Sequence, residues 1–165
     1  MITVTEGKPG VGKTTYGADV VERALYDSRT YVATSLQLKL PDNHPAKDRL
    51  QILPITNTMG AVLALPYHIL FKKYKRIYLI LDEFQMVANS RKWKEVPEEF
   101  EYLMQQHRHF RVDVLGLVQS VKRADVVVRE LMQVFQRIYR IAVIPQFVEW
   151  DFRKSRISWL RWIGF

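Results

Sequence analysis

The octapeptide Gly7-Lys8-Pro9-Gly10-Val11-Gly12-Lys13-Thr14 restricts this chain more than any other feature. Glycines so closely spaced let the backbone enter conformations closed to other residues, so that successive amide N–H groups can face one anion. Lys13 brings a cation to the β- and γ-phosphates of a nucleotide, and the Thr14 hydroxyl can reach a magnesium ion. Thr15 completes the stretch expected to hold ATP with Mg2+. Such a loop works only between a strand and a helix whose positive dipole end meets the phosphates. Both are predicted. Ile2-Thr3-Val4-Thr5 alternates apolar and polar residues, and Ala18, Val21 and Leu25 recur at helical spacing up to a stop at Asp27-Ser28.

The 165 residues suit one domain, 1–165, that buries about 70% of its unfolded surface. There is no cysteine, which removes disulfides and thiolate metal sites and makes a cytosolic address natural. The first strand and the loop leave no room for an N-terminal signal, and the apolar runs 61–65 and 78–81 fall short of the ~20 residues that span a bilayer. The net charge is +8, and from Arg108 to Phe165 eleven Lys/Arg face only five acids. This bias suits nucleic acid or an anionic membrane surface, and equally a solvated basic face.

Further strands are predicted at Thr30–Ser35, Arg76–Leu81, Val112–Val118, Arg137–Ile144 and Phe147–Arg153. Arg76–Leu81 is apolar with little alternation, as strands buried on both faces of a parallel sheet are. Helices are expected over 59–72, with Pro66 a kink or boundary, over Pro97–His109 with Phe100, Leu103, Met104 and His107 on one face, and over Asp125–Phe135. Residues 41–45 read as a loop. The alternation argues a three-layer α/β sandwich with a mainly parallel sheet and a β-rich tail.

Asp82-Glu83 ends the buried strand 76–81. Two carboxylates there are costly without a partner, and in a phosphate-loop protein that partner is magnesium with its waters. Asp82 is expected at the metal side, and Glu83 would orient or polarise the water that attacks the γ-phosphate. Gln119, at the next strand end, is the candidate to sense the γ-phosphate or position water. An arginine from a neighbouring subunit would stabilise the transition state, with Arg91, Arg108, Arg123 and Arg129 as candidates. His107 and His109 lie two apart and face different ways on a helix, so no metal beyond magnesium is expected.

Four segments together resemble the zonular occludens toxin (Zot)-like family of filamentous-phage assembly ATPases, in the FtsK–HerA branch of phosphate-loop motors. They are Gly7–Thr14, Leu81-Asp82-Glu83-Phe84-Gln85, Arg91-Lys92-Trp93, and the run from Gln106 through His107-Arg108-His109 to Val114, followed by Gln119. The resemblance covers about Met1 to Arg140. It implies a parallel sheet in 5-1-4-3-2 order and ring oligomers, hexameric or of another size. It further implies ATP-driven virion assembly or DNA movement. It carries nucleotide binding onto Gly7 to Thr14, the catalytic pair onto Asp82 and Glu83, the sensor onto Gln119, and a trans role onto Arg108 or Arg129. Three departures stand out. Arg111 replaces the usual Gly, Val118 replaces the usual Thr or Ser, and these 165 residues contain no membrane-spanning helix of the kind that usually follows the domain. Genome-packaging ATPases of tailless icosahedral phages share the superfamily. Trp159-Leu160-Arg161-Trp162 suits a membrane interface, a subunit contact or a core strand.

The leading expectation is therefore a viral ring ATPase that moves DNA or drives virion assembly. Its expected partners are further copies of itself, DNA, capsid or assembly proteins, and a membrane surface. Its expected place is the bacterial host cytoplasm, at the inner membrane or with the virion. The alternative is a nucleotide-dependent assembly adaptor with negligible turnover alone. A small-molecule kinase ranks behind both, because no arginine-rich lid is evident.

Overall fold

A computed structural model describes residues 1–87, 96–123 and 126–139. Six strands form one sheet with every pairing parallel: β1 (Ile2–Glu6), β2 (Thr30–Thr34), β3 (Leu50–Ile52), β4 (Arg76–Leu81), β5 (Val112–Val118) and β6 (Val134–Arg137), in the order β3-β2-β4-β5-β1-β6. Without the short edge strand β3, this is the 5-1-4-3-2 order that the family resemblance implies.

Strand residues divide between two cores. Ile77, Leu79 and Leu81 of β4 point into one with Val112 and Val114, while Ile80 joins Val32, Leu115 and Leu117 in the other. Burial on both faces explains the uninterrupted apolar run of β4. One face is covered by α1 (Lys13–Tyr26) through Val21 and Leu25. The other takes α2 (Thr58–Leu63), α3 (Tyr67–Lys73), the short α4 (Phe84–Val87) and α5 (Glu98–Gln105), through Val62, Leu70, Phe84, Phe100, Leu103 and Met104. Helix α1 lies tight on its face, since a Cβ on Gly17 would stand 2.8 Å from a Leu117 methyl and 2.9 Å from one of Leu36.

Several elements differ from the sequence expectation. The segment 59–72 is two helices, with Pro66 as the boundary that caps α3 and Asn57 accepting the Gly60 N–H to cap α2. Helix α5 stops at Gln105 instead of His109, and 106–111 turn back into β5. His107 keeps its expected burial but reaches it from this turn, where the Val112 N–H donates to the His107 carbonyl at 2.8 Å. Helix α6 (Val126–Leu131) is shorter than expected, and β6 begins at Val134 instead of Arg137. Pairing to β1, Thr3 with Val134 through Glu6 with Arg137, wins over the helical continuation. Strand β3 was not expected. Its preceding Arg49 donates to the carbonyls of Leu25, Asp27 and Thr30, pinning it to the end of α1. Residues 140–153, the remainder of the strands expected at Arg137–Ile144 and Phe147–Arg153, and the tryptophan-rich tail lie outside the described residues.

Parallel register fixes where the site must be. Glu6 pairs with Val118, Leu81 with Gly116, and Thr34 with Ile80, so β1, β2, β4 and β5 end together. Whatever follows these strands emerges at a single edge.

Candidate active site at the C-terminal edge of the sheet

The phosphate loop runs directly from β1 into α1. Gly10 and Gly12 hold φ of 78° and 94°, and nothing lies within 4 Å of a Cβ built on either. Their need for glycine is conformational rather than steric. Gly7 is steric: a Cβ there would meet a Val11 methyl at 2.7 Å and the Ile138 carbonyl at 3.3 Å. Lys13 is buried, and its ammonium donates to the carbonyls of Gly7 at 2.8 Å and Lys8 at 3.2 Å. Its charge is thus held at the loop itself. Lys8, Pro9, Thr14 and Thr15 are exposed and open to a ligand.

Residues from β1, β2, β4 and β5 converge here. The Thr14 hydroxyl donates to Asp82 Oδ2 at 3.2 Å, joining the first turn of α1 to the end of β4. The Asp82 amide donates to Ser35 Oγ at 2.8 Å, and Asp82 Oδ1 accepts the Glu83 amide at 2.9 Å. Glu83 itself adopts a left-handed backbone, φ 47°, a conformation disfavoured for a side chain of this kind. Its carboxylate is held by two amides. Gln119 Nε2 lies 3.1 Å from each oxygen, and Gln85 Nε2 donates to Oε2. Behind the turn, Phe84 is fully buried with its ring over Gly116 of β5.

A further carboxylate ties the loop to its neighbours. Glu6 Oε1 accepts the Val121 amide at 3.0 Å, and Oε2 accepts Arg137 Nε at 2.7 Å. Burial pushes the Glu6 carboxyl up, but the Val121 amide, Arg137 and Ser120 outweigh it and hold the group below the usual carboxylate range. Glu6 therefore links the residue before the phosphate loop to the segment after Gln119 and to β6.

Thr14 and Asp82 offer hard oxygen donors side by side, which fits magnesium bound by few protein ligands together with nucleotide phosphates. Among the described residues no cluster of three or more His, Cys, Asp or Glu forms a metal site of its own.

The structure thus gathers Gly7 to Thr15, Asp82, Glu83 and Gln119. Of the candidate arginines, Arg123 closes the turn Val121–Arg123 that follows Gln119 at this edge. Arg108 lies before the start of β5, at the opposite edge, and Arg129 is exposed on α6. Arg91 lies outside the described residues. Three participants escaped the sequence reading: Ser35, Gln85 and Glu6. Gln85 stood within the quoted Leu81–Gln85 run, and its position after the Asp-Glu pair was the available signal. Ser35 and Glu6 had no signal beyond lying at strand ends.

A model of the zonular occludens toxin (Zot) family matches residues 1–152. Among solved structures, the genome-packaging NTPase B204 of Sulfolobus turreted icosahedral virus 2, in complex with ATP-gammaS, aligns with TM-score 0.66 at 13% identity, over 86% of this chain and 76% of that one. The N-terminal domain of zonular occludens toxin from Neisseria meningitidis aligns with TM-score 0.57 at 24% identity, over 85% and 77%. The FIGL-1 AAA domain in complex with ADP aligns with TM-score 0.51 at 19% identity, over 83% and 42%. At these identities the structural likenesses establish the fold, a phosphate-loop NTPase sandwich. No curated protein matches the sequence significantly. Among the described residues no helix is long and apolar enough to cross a membrane.

Proposed function

The chain belongs to the zonular occludens toxin (Zot) family, and from that premise we propose that it hydrolyses ATP to drive phage assembly or DNA movement as a ring of identical subunits. The observation that carries this reading is the placement of Glu83 beside the Thr14–Asp82 pair. In this reading Thr14 and Asp82 would hold a magnesium ion, which would supply charge neutralisation to the nucleotide phosphates. Lys13 exchanges its two loop carbonyls for phosphate oxygens, and the glycine-rich backbone turns its amides to the same anion. Glu83 orients the attacking water and draws on its proton. Before that, its carboxylate must be released by the amides that hold it. Gln119 is placed to couple these events, because a γ-phosphate oxygen would compete with Glu83 for its amide. An arginine acting in trans, Arg108 or Arg129, completes charge stabilisation in the ring. Further partners in this reading are DNA, capsid or assembly proteins and the inner membrane surface, in the cytoplasm of a bacterial host.

The clamped Glu83 also favours a second reading, an assembly adaptor that binds nucleotide with negligible turnover alone. Glu83→Gln separates the two. Removing the base should lower ATP turnover by about 100-fold or more while leaving nucleotide binding in place. Turnover equal to the unmodified chain would sink the hydrolytic mechanism. If the unmodified chain binds ATP but shows no turnover with or without DNA, at any protein concentration, the adaptor stands.

A further inference from the structure

The end of the sheet remote from the nucleotide loop carries a second concentration of charge. The Ile77–Val112 register sets the starts of β4 and β5 side by side, and the Ile77 N–H donates to the Arg111 carbonyl at 3.0 Å. Lys75, Arg76, Arg108 and Arg111 are thereby drawn from two distant segments around one cleft of about 510 Å³, with Met1, Val112 and Asp113 completing its lining. All four cations are exposed. Asp113 is the one acid of the lining, and it is engaged by Arg76 at 3.2 Å and by the Met1 amino group. Among the described residues, no hydrogen bond or salt bridge holds the side chain of Arg108 or Arg111.

We propose that this cleft binds the phosphate backbone of nucleic acid, a contact that rests on the reading of the chain as a DNA-moving motor and gives it a place. Two independent observations carry it. First, like charges gathered in a concavity repel one another unless a polyanion neutralises them, and a concave basic site concentrates potential. Second, Arg111 holds a left-handed backbone, φ 48°, in a turn where glycine would be at ease. A basic side chain is kept there against local preference, and strain of this kind gathers at functional positions. The lining favours nucleic acid over a membrane. Its apolar members are the single part-exposed Met1 and the buried Val112, whereas a lipid-facing surface sets several exposed apolar side chains beside its cations. Nucleotide and nucleic acid would then occupy opposite edges of a single sheet.

The test is fluorescence anisotropy of labelled single- and double-stranded oligonucleotides of mixed sequence, titrated with the full chain across a salt series. The variants are Arg111→Gly, the pair Lys75→Gln with Arg76→Gln, and Lys122→Gln beyond the other end of β5. Arg108 stays in place, because it is also a candidate to act on a neighbouring subunit. Arg111→Gly suits its backbone, so its melting temperature should not fall and lost binding cannot be blamed on unfolding. The expected result is that log affinity falls with log salt, that the slope flattens by about 1 for Arg111→Gly and about 2 for the pair, and that Lys122→Gln leaves it unchanged. Wild-type slopes in the cleft variants, with or without a loss in Lys122→Gln, overturn the cleft and leave the DNA reading standing. No binding by the unmodified chain to either strand type overturns both. Binding to phosphatidylglycerol vesicles that depends on Arg111, without oligonucleotide binding, replaces the proposal with a membrane face.

Discussion

Among the described residues two non-glycine positions hold positive φ, Glu83 and Arg111, and they stand at opposite edges of the sheet. Their surroundings differ. Glu83 is secured on every side: its amide by Asp82, its carboxylate by Gln85 and Gln119, the next side chain by Gly116. Arg111 is secured only through its backbone, which bonds Arg108 and Ile77, while its side chain is exposed. The same left-handed φ thus serves two purposes. At the C-terminal edge it aims a carboxylate and fixes it there. At the N-terminal edge it presents a charge and leaves it available. A fixed group suits chemistry that demands geometry, and an available one suits a ligand read by charge.

The largest expected effect comes from loosening the fixed edge. In Gly116→Ala the new methyl would stand 2.3 Å from Phe84 Cδ1, and Phe84 is fully buried with nowhere to retreat. Overpacking of this kind should cost about 2–3 kcal/mol, read as a lower urea midpoint. Moving Phe84 also moves Glu83, so turnover per folded molecule should fall as well. Turnover kept at the unmodified level would show that the Phe84–Gly116 contact supports the fold without aiming the carboxylate.

At the other edge the same kind of change should go the opposite way. Arg111→Gly relieves the left-handed backbone at the expense of extra freedom in the unfolded chain, so a gain of roughly 0.5–1 kcal/mol is expected in urea unfolding. A clear loss would mean that the Arg111 side chain packs as part of the fold, and the contrast between the two edges would fail. That this position is usually glycine in the resembling family accords with its backbone conformation here.

The two edges were not equally legible in the sequence. Gly7–Thr14 and Asp82-Glu83 could be read because each is a short contiguous pattern whose chemistry depends on backbone freedom or on strand-end carboxylates. β4 and β5 could be read as buried strands from their apolar runs. The end of α5 could not: His107 keeps the helical phase of Phe100, Leu103 and Met104, so its burial looked like one more turn of helix. Strand β6 was read late because Val134 and Phe135 follow helix formers, and only pairing with β1 decides them. The basic cleft was invisible for a different reason. The charge count pointed to the chain from Arg108 onward, while half of the cleft's cations, Lys75 and Arg76, lie far upstream and arrive only through the register of β4 with β5. Glu6 and Arg137 likewise meet only because β1 and β6 pair.

The smallest expected effect is a difference in how the edges respond to acid. His107, in the turn before β5, is buried, and burial pushes its imidazole below the usual value. The Met104 carbonyl at 2.7 Å from Nδ1 pulls it partly back, Arg108 lowers it further, and Asp113 opposes that. Its folded pKa is thus below that of the unfolded chain, which binds the proton first as the pH drops. Stability from His107 is complete above about pH 6.5 and declines as the pH falls toward the folded pKa. Glu6 at the other edge is also depressed, so its stability is complete above about pH 4.3 and is lost as the pH falls through the folded pKa. Melting temperature against pH should therefore fall in two limbs, the upper from His107 at the N-terminal edge and the lower from depressed carboxylates, Glu6 at the C-terminal edge and Asp27, held low by Arg29, at the other. His107→Gln should remove the upper limb and spare the lower, and Glu6→Gln should make the lower limb shallower and spare the upper. If Glu6→Gln leaves the lower limb as steep as before, the Val121, Arg137 and Ser120 contacts do not secure the phosphate loop to its neighbours, and the fixed edge owes its rigidity to the Asp82, Gln85, Gln119 and Phe84 contacts.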